Sequence, residues 1–366
     1  MINTQVGIVG AGNMGRAIAW AMEELGYSLL ILDQHEGAIQ NCQRLLRTDH
    51  KFFKGKSYDT LTGCGMVISS LPYHQNLNLA TFCIDNNIPY FDLGGNVGVS
   101  EAINTYATVV AGFAAVSTNP TENVKEANAI QPVMTDLGLA PGWVNIIAEE
   151  MYQEWRKREG ESPETITMMV GGLPQQPNNT LQYSCTWSYD GLINEYRDDC
   201  IVLIDGKQTT VRGMDGYQFP VPSELGPLEA FYTSGGASHT ISVMKKRGVK
   251  NCSYKTLRYP HHHKMVNFLI HESGLDDSSL IEVFKRTCPP REDLVIIKVA
   301  AQDLTFEKVI RSDENFSAMQ KATAFPIAAA AHTVSLYDIS KPVLKYDDLW
   351  DTQFNLWLDR LFQGAR

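Results

Sequence analysis

Residues 5–15 read QVGIVGAGNMG. The apolar residues Val6, Ile8 and Val9 make a short buried strand, and Gly10, Gly12 and Gly15 then fall on G-x-G-x-x-G spacing as a helical pattern begins. Gly10 permits the tight turn, Gly12 lets backbone approach a pyrophosphate, and Gly15 lets the helix sit close on the strand. The helix N-terminus then offers N–H groups and the positive end of its dipole to phosphates. Gly10, Gly12, Asn13, Met14 and Gly15 are therefore the first cofactor-binding candidates.

The context strengthens the motif. A helix over 14–25 ends at Gly26, and a second apolar run over 29–32 ends on Asp33, eighteen residues past Gly15. An acid there accepts hydrogen bonds from the adenosine ribose hydroxyls and repels a 2′-phosphate, so the expected cofactor is NAD rather than NADP. The bland alternative is a Rossmann-like domain without nucleotide, whose glycine turn serves packing alone.

At 366 residues the chain is long enough for two domains, and 44% hydrophobic with 20% charged residues is the composition of a globular protein. The formal charge of −10 leaves no basic stripe to displace counterions, which argues against a nucleic-acid partner. Seven cysteines, Cys42, Cys64, Cys83, Cys185, Cys200, Cys252 and Cys288, are scattered without C-x-x-C spacing. That pattern suits core positions in a reducing compartment rather than a disulfide framework or zinc site. No basic and apolar leader precedes the first strand, and no run reaches the roughly 20 apolar residues that span a bilayer. The expectation is a cytoplasmic protein with no membrane partner.

After Asp33 come a helical stretch at 36–46, a weak strand at 51–53, an apolar strand at 64–71, a crossover helix at 78–86 and a strand at 88–93. Alternation at this spacing predicts a parallel, doubly wound sheet, with ligands outside the carboxyl ends of its strands. That rule places Ser70, Leu71 and Pro72, and Asp92, Gly94, Gly95 and Asn96, on the cofactor's side. An apolar stretch at 105–116 leads to a polar break at 117–128, then to a strand and Gly/Pro loop at 132–142 and a helix at 143–155. The charged run 149–159 reads as a solvated helix face. From 165 the period changes. TITMMVGGL, YSCTWS, LINEYR, IVLID, QTTVRG and LRYP read as strand-like pieces of a mainly antiparallel sheet. Residues 227–239, PLEAFYTSGGASH, carry more polar chemistry than a hairpin needs. Helices return at 317–336, with Pro326 kinking or splitting the first, and at 349–362. The expected fold class is thus α/β. An N-terminal Rossmann domain (1–130) precedes an α+β substrate and oligomerisation domain (131–312), and C-terminal helices (313–366) return to the Rossmann domain.

By these landmarks the chain resembles the saccharopine dehydrogenase-like reductases, and within them most resembles the lysine 6-dehydrogenases. The resemblance is carried by GAGNMG at 10–15, SLPY at 70–73, DLGGN at 92–96, DLGLAPG at 136–142, VGGLP at 170–174, TWSYDGLINEY at 186–196, EAFYTSGG at 229–236 and LRYP at 257–260. LAPG at 139–142 stands where saccharopine-forming relatives tend to read D-P-G. The chain departs from the family in a longer 104–130 segment, in His261 where the family has glycine, and in KPVL at 341–344. The resemblance implies NAD-dependent oxidative deamination of the ε-carbon of L-lysine, giving 2-aminoadipate 6-semialdehyde, ammonia and NADH. It also points to a homodimer or homotetramer, for which exposed apolar residues on an antiparallel sheet leave room.

Such chemistry needs a general base, since a hydride leaves an amine-bearing carbon only after the ammonium has lost a proton. It also needs an anchor for the small amino-acid substrate's α-carboxylate. Asp136 and His239 are the candidates for proton handling, and Tyr232, Thr233 and Ser234 for orienting amine or water. Arg258 or Arg212 would clamp the carboxylate with a fork of donors. Asp92 is a substrate-contact candidate, or else holds the Gly94–Gly95 turn. Asp136 could equally cap the loop that follows it, Tyr232 be a packed aromatic, and Arg258 a surface ion-pair partner. By the family match His262 contacts substrate. The run His261, His262, His263 is not read as a metal site, because consecutive histidines on extended backbone point to alternate faces and no carboxylate or cysteine stands at ligand spacing. Two alternatives stay open beside the deaminase: an opine-type reductase joining an amine to a carbonyl compound, and a non-catalytic NAD(H)-binding sensor.

Overall fold

A computed structural model describes residues 4–117, 131–337 and 341–365. Most of the polar break expected at 117–128, and the end of the longer 104–130 segment, lie outside the described residues. The chain divides into two units, residues 1–138 with 323–366, and residues 139–322.

The first unit is built as the glycine motif requires. Strand β1 (Gln5–Val9) runs into helix α1 (Asn13–Glu24), followed by β2 (Ser28–Asp33), α2 (Glu36–Leu45), β3 (Lys51–Lys54), β4 (Met66–Ser69), α3 (Tyr73–Asp85), β5 (Tyr90–Asp92), α4 (Val97–Ser117) and β6 (Val133–Met134). The strands form a sheet in the order β3-β2-β1-β4-β5-β6 with every pairing parallel, the order of a doubly wound dinucleotide fold. Helix α3 begins five residues earlier than expected, at Tyr73, because Pro72 fits the turn that starts it. Packing beneath the sheet is apolar and close, with Val67, Leu79, Ala80, Cys83, Tyr90 and Val133 fully buried in one cluster.

The second unit starts with α5 (Trp143–Glu159) and continues through β7 (Thr165–Pro174), α6 (Tyr189–Arg197), β8 (Cys200–Ile204), β9 (Lys207–Val211), β10 (Gln218–Val221), β11 (Leu228–Tyr232), α7 (Thr240–Lys246), β12 (Asn251–Arg258), α8 (His262–Asn267), α9 (Asp277–Thr287), β13 (Asp293–Ala301) and β14 (Leu304–Arg311). Its sheet runs β10-β11-β12-β7-β13-β14, with the β8–β9 hairpin attached to β12. The β12–β7 pair is parallel and the other ladders are antiparallel. The sheet is therefore mixed and mainly antiparallel, as expected.

Three local expectations give way. LINEYR is not a strand but the body of α6. Leu192, Ile193 and Tyr196 fall on one helical stripe, and the Ser188 hydroxyl accepts from the Gly191 amide at 3.0 Å to cap the start. YSCTWS joins no ladder, because the Cys185 amide donates instead to the Cys288 carbonyl at 3.1 Å. The charged run 149–159 is not solvated from its start. Glu149 is buried and accepts from Arg247 Nη1 at 2.5 Å, and Met151 and Tyr152 are buried beside it.

Helix α10 (Ala318–Leu336) carries Pro326 inside it without being split. A run of buried small residues, Ala328 to Ala331, with Phe325 and Ile327, holds the helix together across the missing amide. From Thr323 onward the chain belongs to the first unit, where α11 (Phe354–Gly364) ends it. There Trp20 stacks on Phe325 with ring centroids 5.4 Å apart, the Tyr27 hydroxyl meets His332 Nδ1 at 2.8 Å, and Val343 bridges Val133. The C-terminal helices thus return to the Rossmann fold.

All seven cysteines are buried free thiols. Burial pushes Cys42 up to about 12 and Cys64 to about 11, so they pack as apolar groups and not as thiolates. Among the described residues no helix is long and apolar enough to cross a membrane, and no group of three or more His, Cys, Asp or Glu could hold a metal ion.

Candidate active site

In the first unit the three glycines divide their labour physically. Gly10 sits at φ +96°, its amide donating to the Leu32 carbonyl at 2.9 Å. A Cβ on Gly15 would lie 1.8 Å from the Gly10 carbonyl oxygen, so the helix rests directly on the turn. A Cβ on Gly12 would meet nothing within 4 Å, so its face is open. Asn13 and Met14 form the first turn of α1, which no side chain caps. Asp33 closes the cradle: its Oδ2 accepts from the Ala11 amide at 2.6 Å and its Oδ1 from the His35 amide at 2.7 Å. Beside it opens a cleft of about 500 Å³ lined by Gly10, Gly12, Asp33, Ser70, Leu71 and Pro72 among others. The Ser70 hydroxyl ties the two walls by donating to the Gly10 carbonyl at 3.0 Å. An open glycine face, an uncapped helix start and an acid at the end of β2 fit a dinucleotide.

Lys56 and Tyr58 also line this cleft, and sequence reasoning missed them. The signal was available. Asp33 pairs with Lys54, so whatever follows β3 must emerge beside the ribose acid.

At the end of β5, Asp92 and Asp136 are both buried, 1% and 4% exposed. Asp92 Oδ1 accepts from the Gly94 amide at 2.8 Å and from the Asp136 amide at 3.1 Å. Ser100 donates to Asp136 Oδ1 at 2.7 Å, and the Tyr346 hydroxyl donates to the Asp136 carbonyl at 2.9 Å. Asp136 has φ +62°, and a Cβ on Gly94 would lie 2.2 Å from its Oδ1, so glycine at 94 makes room for that carboxylate. Burial, with the Asp136 charge adding to it, raises Asp92 to about 7. Asp92 holds the Gly94–Gly95 turn, and Asn96 caps α4 through the Val99 amide at 3.2 Å. The start of α5 is closed by Asn145, which accepts from the Gly142 amide at 2.8 Å.

In the second unit one face of the sheet carries a buried polar relay. Register pairs Glu229 with Arg258, Phe231 with Thr256 and Tyr232 with Lys255, and side chains alternate along each strand. Arg258 therefore shares a face with Thr256, while Tyr232 points to the other. Arg258 is 3% exposed, its Nε donating to the Tyr196 hydroxyl at 2.8 Å and its Nη1 to the Leu257 carbonyl at 3.0 Å, with the guanidinium 4.6 Å over the Tyr183 ring. His262 Nδ1 lies 2.7 Å from the Leu181 carbonyl, which only accepts, so this nitrogen carries the proton. Nε2 is then an acceptor for the Tyr196 hydroxyl at 3.0 Å. The relay is directional: Arg258 to Tyr196 to His262 to Leu181. Burial first and the Arg258 charge second hold His262 down to about 3, so the imidazole is neutral. Thr233 joins the same face through Thr256, hydroxyl to hydroxyl at 2.8 Å.

The remaining candidates lie apart from this relay. The Tyr232 ring packs over Gly216 with Lys255 Nζ 5.0 Å from its centroid. Ser234 donates to the Asn194 carbonyl at 3.2 Å. His239 stands at the N-cap of α7, Nδ1 3.2 Å from the Ser238 hydroxyl. Arg212 is exposed and pairs with Asp215 at 3.1 Å. His261 has φ +79°, the backbone for which the family's glycine is suited, and its amide donates to Glu229 Oε2 at 3.0 Å. His263 Nε2 donates to the Met214 carbonyl at 2.8 Å. Asn145, fully buried, fastens the TSGG loop by donating to the Gly236 and Ala237 carbonyls at 3.2 and 3.0 Å. Asn145, Glu195, Tyr196 and Tyr183 were not singled out from sequence.

Two family models match the chain: the saccharopine dehydrogenase NADP binding domain over residues 6–132 and the saccharopine dehydrogenase C-terminal domain over 138–362. Among solved structures, apo saccharopine dehydrogenase (L-Glu forming) from Saccharomyces cerevisiae is 14% identical over 99% of this chain and 97% of that one, with a TM-score of 0.71. This likeness is one of fold. UDP-N-acetylglucosamine 3-dehydrogenase from Acidithiobacillus ferrooxidans is 11% identical over 100% of this chain and 96% of that one, at a TM-score of 0.42.

Proposed function

The chain belongs to the saccharopine dehydrogenase family, and from that premise we propose that it is an NAD-dependent dehydrogenase of the ε-amine of L-lysine. Lysine, NAD and water give 2-aminoadipate 6-semialdehyde, ammonium, NADH and a proton. The observation that carries this reading is Arg258, a guanidinium 3% exposed that forms no ion pair within 4.0 Å with a carboxylate of the described residues. A buried cation is normally paired, so one left for an incoming anion suits an amino-acid carboxylate.

The family domain brings a nicotinamide dinucleotide, whose ring, when bound, supplies the hydride acceptor. Asp33 supports NAD, since its carboxylate faces the cleft where a 2′-phosphate would add like charge. Asp136, with Asp92 beside it, takes the role of proton acceptor from the substrate ammonium. Arg258 holds the carboxylate, and the Tyr196–His262 relay fixes the guanidinium's orientation. Exposed Ile201, Ile204 and Phe219 on β8 and β10 support self-association into a dimer or tetramer. A monomer by light scattering at working concentration would count against that.

Family membership also supports a saccharopine-type reductase, which joins an amine to a carbonyl compound. The deciding experiment is NADH formation by pure protein with NAD and each of L-lysine, ornithine, 2-aminoadipate and saccharopine, at mildly alkaline pH. Turnover on lysine alone, with ammonia released, is expected. Silence on lysine with turnover on saccharopine would move the assignment to the rival, and dinucleotide binding without any turnover would move it to a sensor.

A further inference from the structure

Ser100 stands in the first turn of α4, and sequence reasoning gave it no role. A serine there can fold its hydroxyl back onto the carbonyl four residues earlier. Ser100 does so, reaching the Asn96 carbonyl at 3.3 Å while its amide donates to the same oxygen at 3.1 Å. The hydroxyl also reaches Asp136 Oδ1, at the shorter distance of 2.7 Å. Ser100 is 5% exposed and Asp136 4%, so neither can exchange a lost partner for bulk water. Two acceptors are thus offered to a single O–H. An ionised Asp136 only accepts, so the hydroxyl proton goes to it. An Asp136 protonated on Oδ1 must donate, and Ser100 accepts by turning its own proton to the Asn96 carbonyl. Each state of the carboxyl finds its partner by rotation about one C–O bond, and no buried donor is stranded. Asp92 and Tyr346, ionisable neighbours of Asp136, engage its amide at 3.1 Å and its carbonyl at 2.9 Å. Those bonds hold the backbone, at φ +62°, in either state of the carboxyl.

We propose that Ser100 is the positioning residue of the proton acceptor, a hydroxyl switch that lets Asp136 take a proton from the substrate ammonium and give it up again without rearranging its surroundings. In the forward step an N–H bond of the ammonium breaks, an O–H bond forms on Asp136 and the electron pair stays on nitrogen. Partners already in place cost no reorganisation at the moment of transfer. The hydroxyl also sets how tightly Asp136 holds that proton, because a donor aimed at the ionised form favours it. Removing the hydroxyl should therefore raise the titration midpoint of Asp136. The inference rests on Asp136 as the proton acceptor, and its test separates the two.

The test follows Asp136 in the full-length protein by two readouts. One is infrared titration of the protonated carboxyl band that Asp136→Asn deletes, which needs no turnover. The other is the pH profile of kcat/KM for L-lysine with NAD. Ser100→Ala should raise the infrared midpoint and the acidic limb of the profile together, by about one pH unit, or roughly tenfold in proton affinity. Ser100→Thr keeps the hydroxyl and its reach to the Asn96 carbonyl, and should hold both near their wild-type values. Added to Asp136→Asn, Ser100→Ala should not move the remaining profile. An unmoved infrared midpoint in Ser100→Ala, or the same rise in Ser100→Thr, would overturn the switch. A raised infrared midpoint beside an unmoved kinetic limb would keep the switch and sink Asp136 as the proton acceptor. A limb abolished by Asp136→Asn but untouched by Ser100→Ala would keep the acceptor and sink the switch.

Discussion

The Asp136 amide donates to Oδ1 of Asp92 at 3.1 Å, which brings together two buried carboxyl groups, one at the end of β5 and one just past its parallel neighbour β6, beside the Gly94 turn. Asp92 is raised to about 7 in the fold by burial and by Asp136, against about 3.9 in an unfolded chain. The folded state therefore holds this proton where the unfolded state has lost it. The resulting stabilisation is complete below pH ~4 and is lost as pH rises toward 7, at up to ~1.4 kcal/mol per pH unit. Asp92→Asn should flatten that part of the urea-midpoint profile between pH 4 and 7. Identical profiles for the variant and the wild type would show that Asp92 titrates normally.

Asp33 meets both the Ala11 and His35 amides, so it shapes the glycine loop as well as its charge. Asp33→Ala should weaken NAD binding by about tenfold or more, the worth of roughly two charge-assisted hydrogen bonds, and weaken NADP less. Fluorescence titration with both reduced cofactors measures this. Unchanged NADH affinity would remove Asp33 from the ribose contact.

How far the sequence reached can be judged from particular residues. The dinucleotide half was legible because its signal is local: strand, three glycines, helix and acid lie within residues 5–33, and each does there what its chemistry allows. The substrate half was not, because its polar groups meet through register and long-range pairing. Arg258 and Tyr232 look alike as candidates in sequence, but the Tyr232–Lys255 pairing puts them on opposite faces of the sheet. Taking LINEYR for a strand hid Glu195 and Tyr196, although Leu192, Ile193 and Tyr196 keep helical spacing behind a serine cap. Asp92 and Asp136 are 44 residues apart, and only the β5–β6 pairing makes them neighbours.

The glycines allow a separation of fold from binding. Gly12 has φ −68° and open space around it, so Gly12→Ala should change stability by less than ~0.5 kcal/mol while its methyl occupies the phosphate approach. Its Kd for NADH should rise at least tenfold. Gly15→Ala meets the Gly10 carbonyl oxygen at 1.8 Å and should cost ~1–3 kcal/mol of stability as well as cofactor binding. If Gly12→Ala bound NADH as the wild type does, the phosphates would not lie over this loop.

The relay through Tyr196 makes a prediction of a different kind, because its hydroxyl is both an acceptor from Arg258 and the donor to His262. Tyr196→Phe keeps the ring that packs against Phe231 and removes only the oxygen, leaving the Arg258 Nε–H and the His262 Nε2 buried without partners. Each orphaned group costs ~1–3 kcal/mol, so the variant should lose about 2–6 kcal/mol by urea denaturation. Tyr232→Phe on the opposite face should stay within ~1 kcal/mol, since the relay of hydrogen bonds from Arg258 to Leu181 does not pass through that hydroxyl. Substrate affinity should follow the same division, falling in Tyr196→Phe as Arg258 loses its fixed orientation and holding in Tyr232→Phe. If the two variants proved equally mild, the guanidinium would be positioned by the Tyr183 ring and the Leu257 carbonyl alone, and the Tyr196–His262 relay would be packing rather than support.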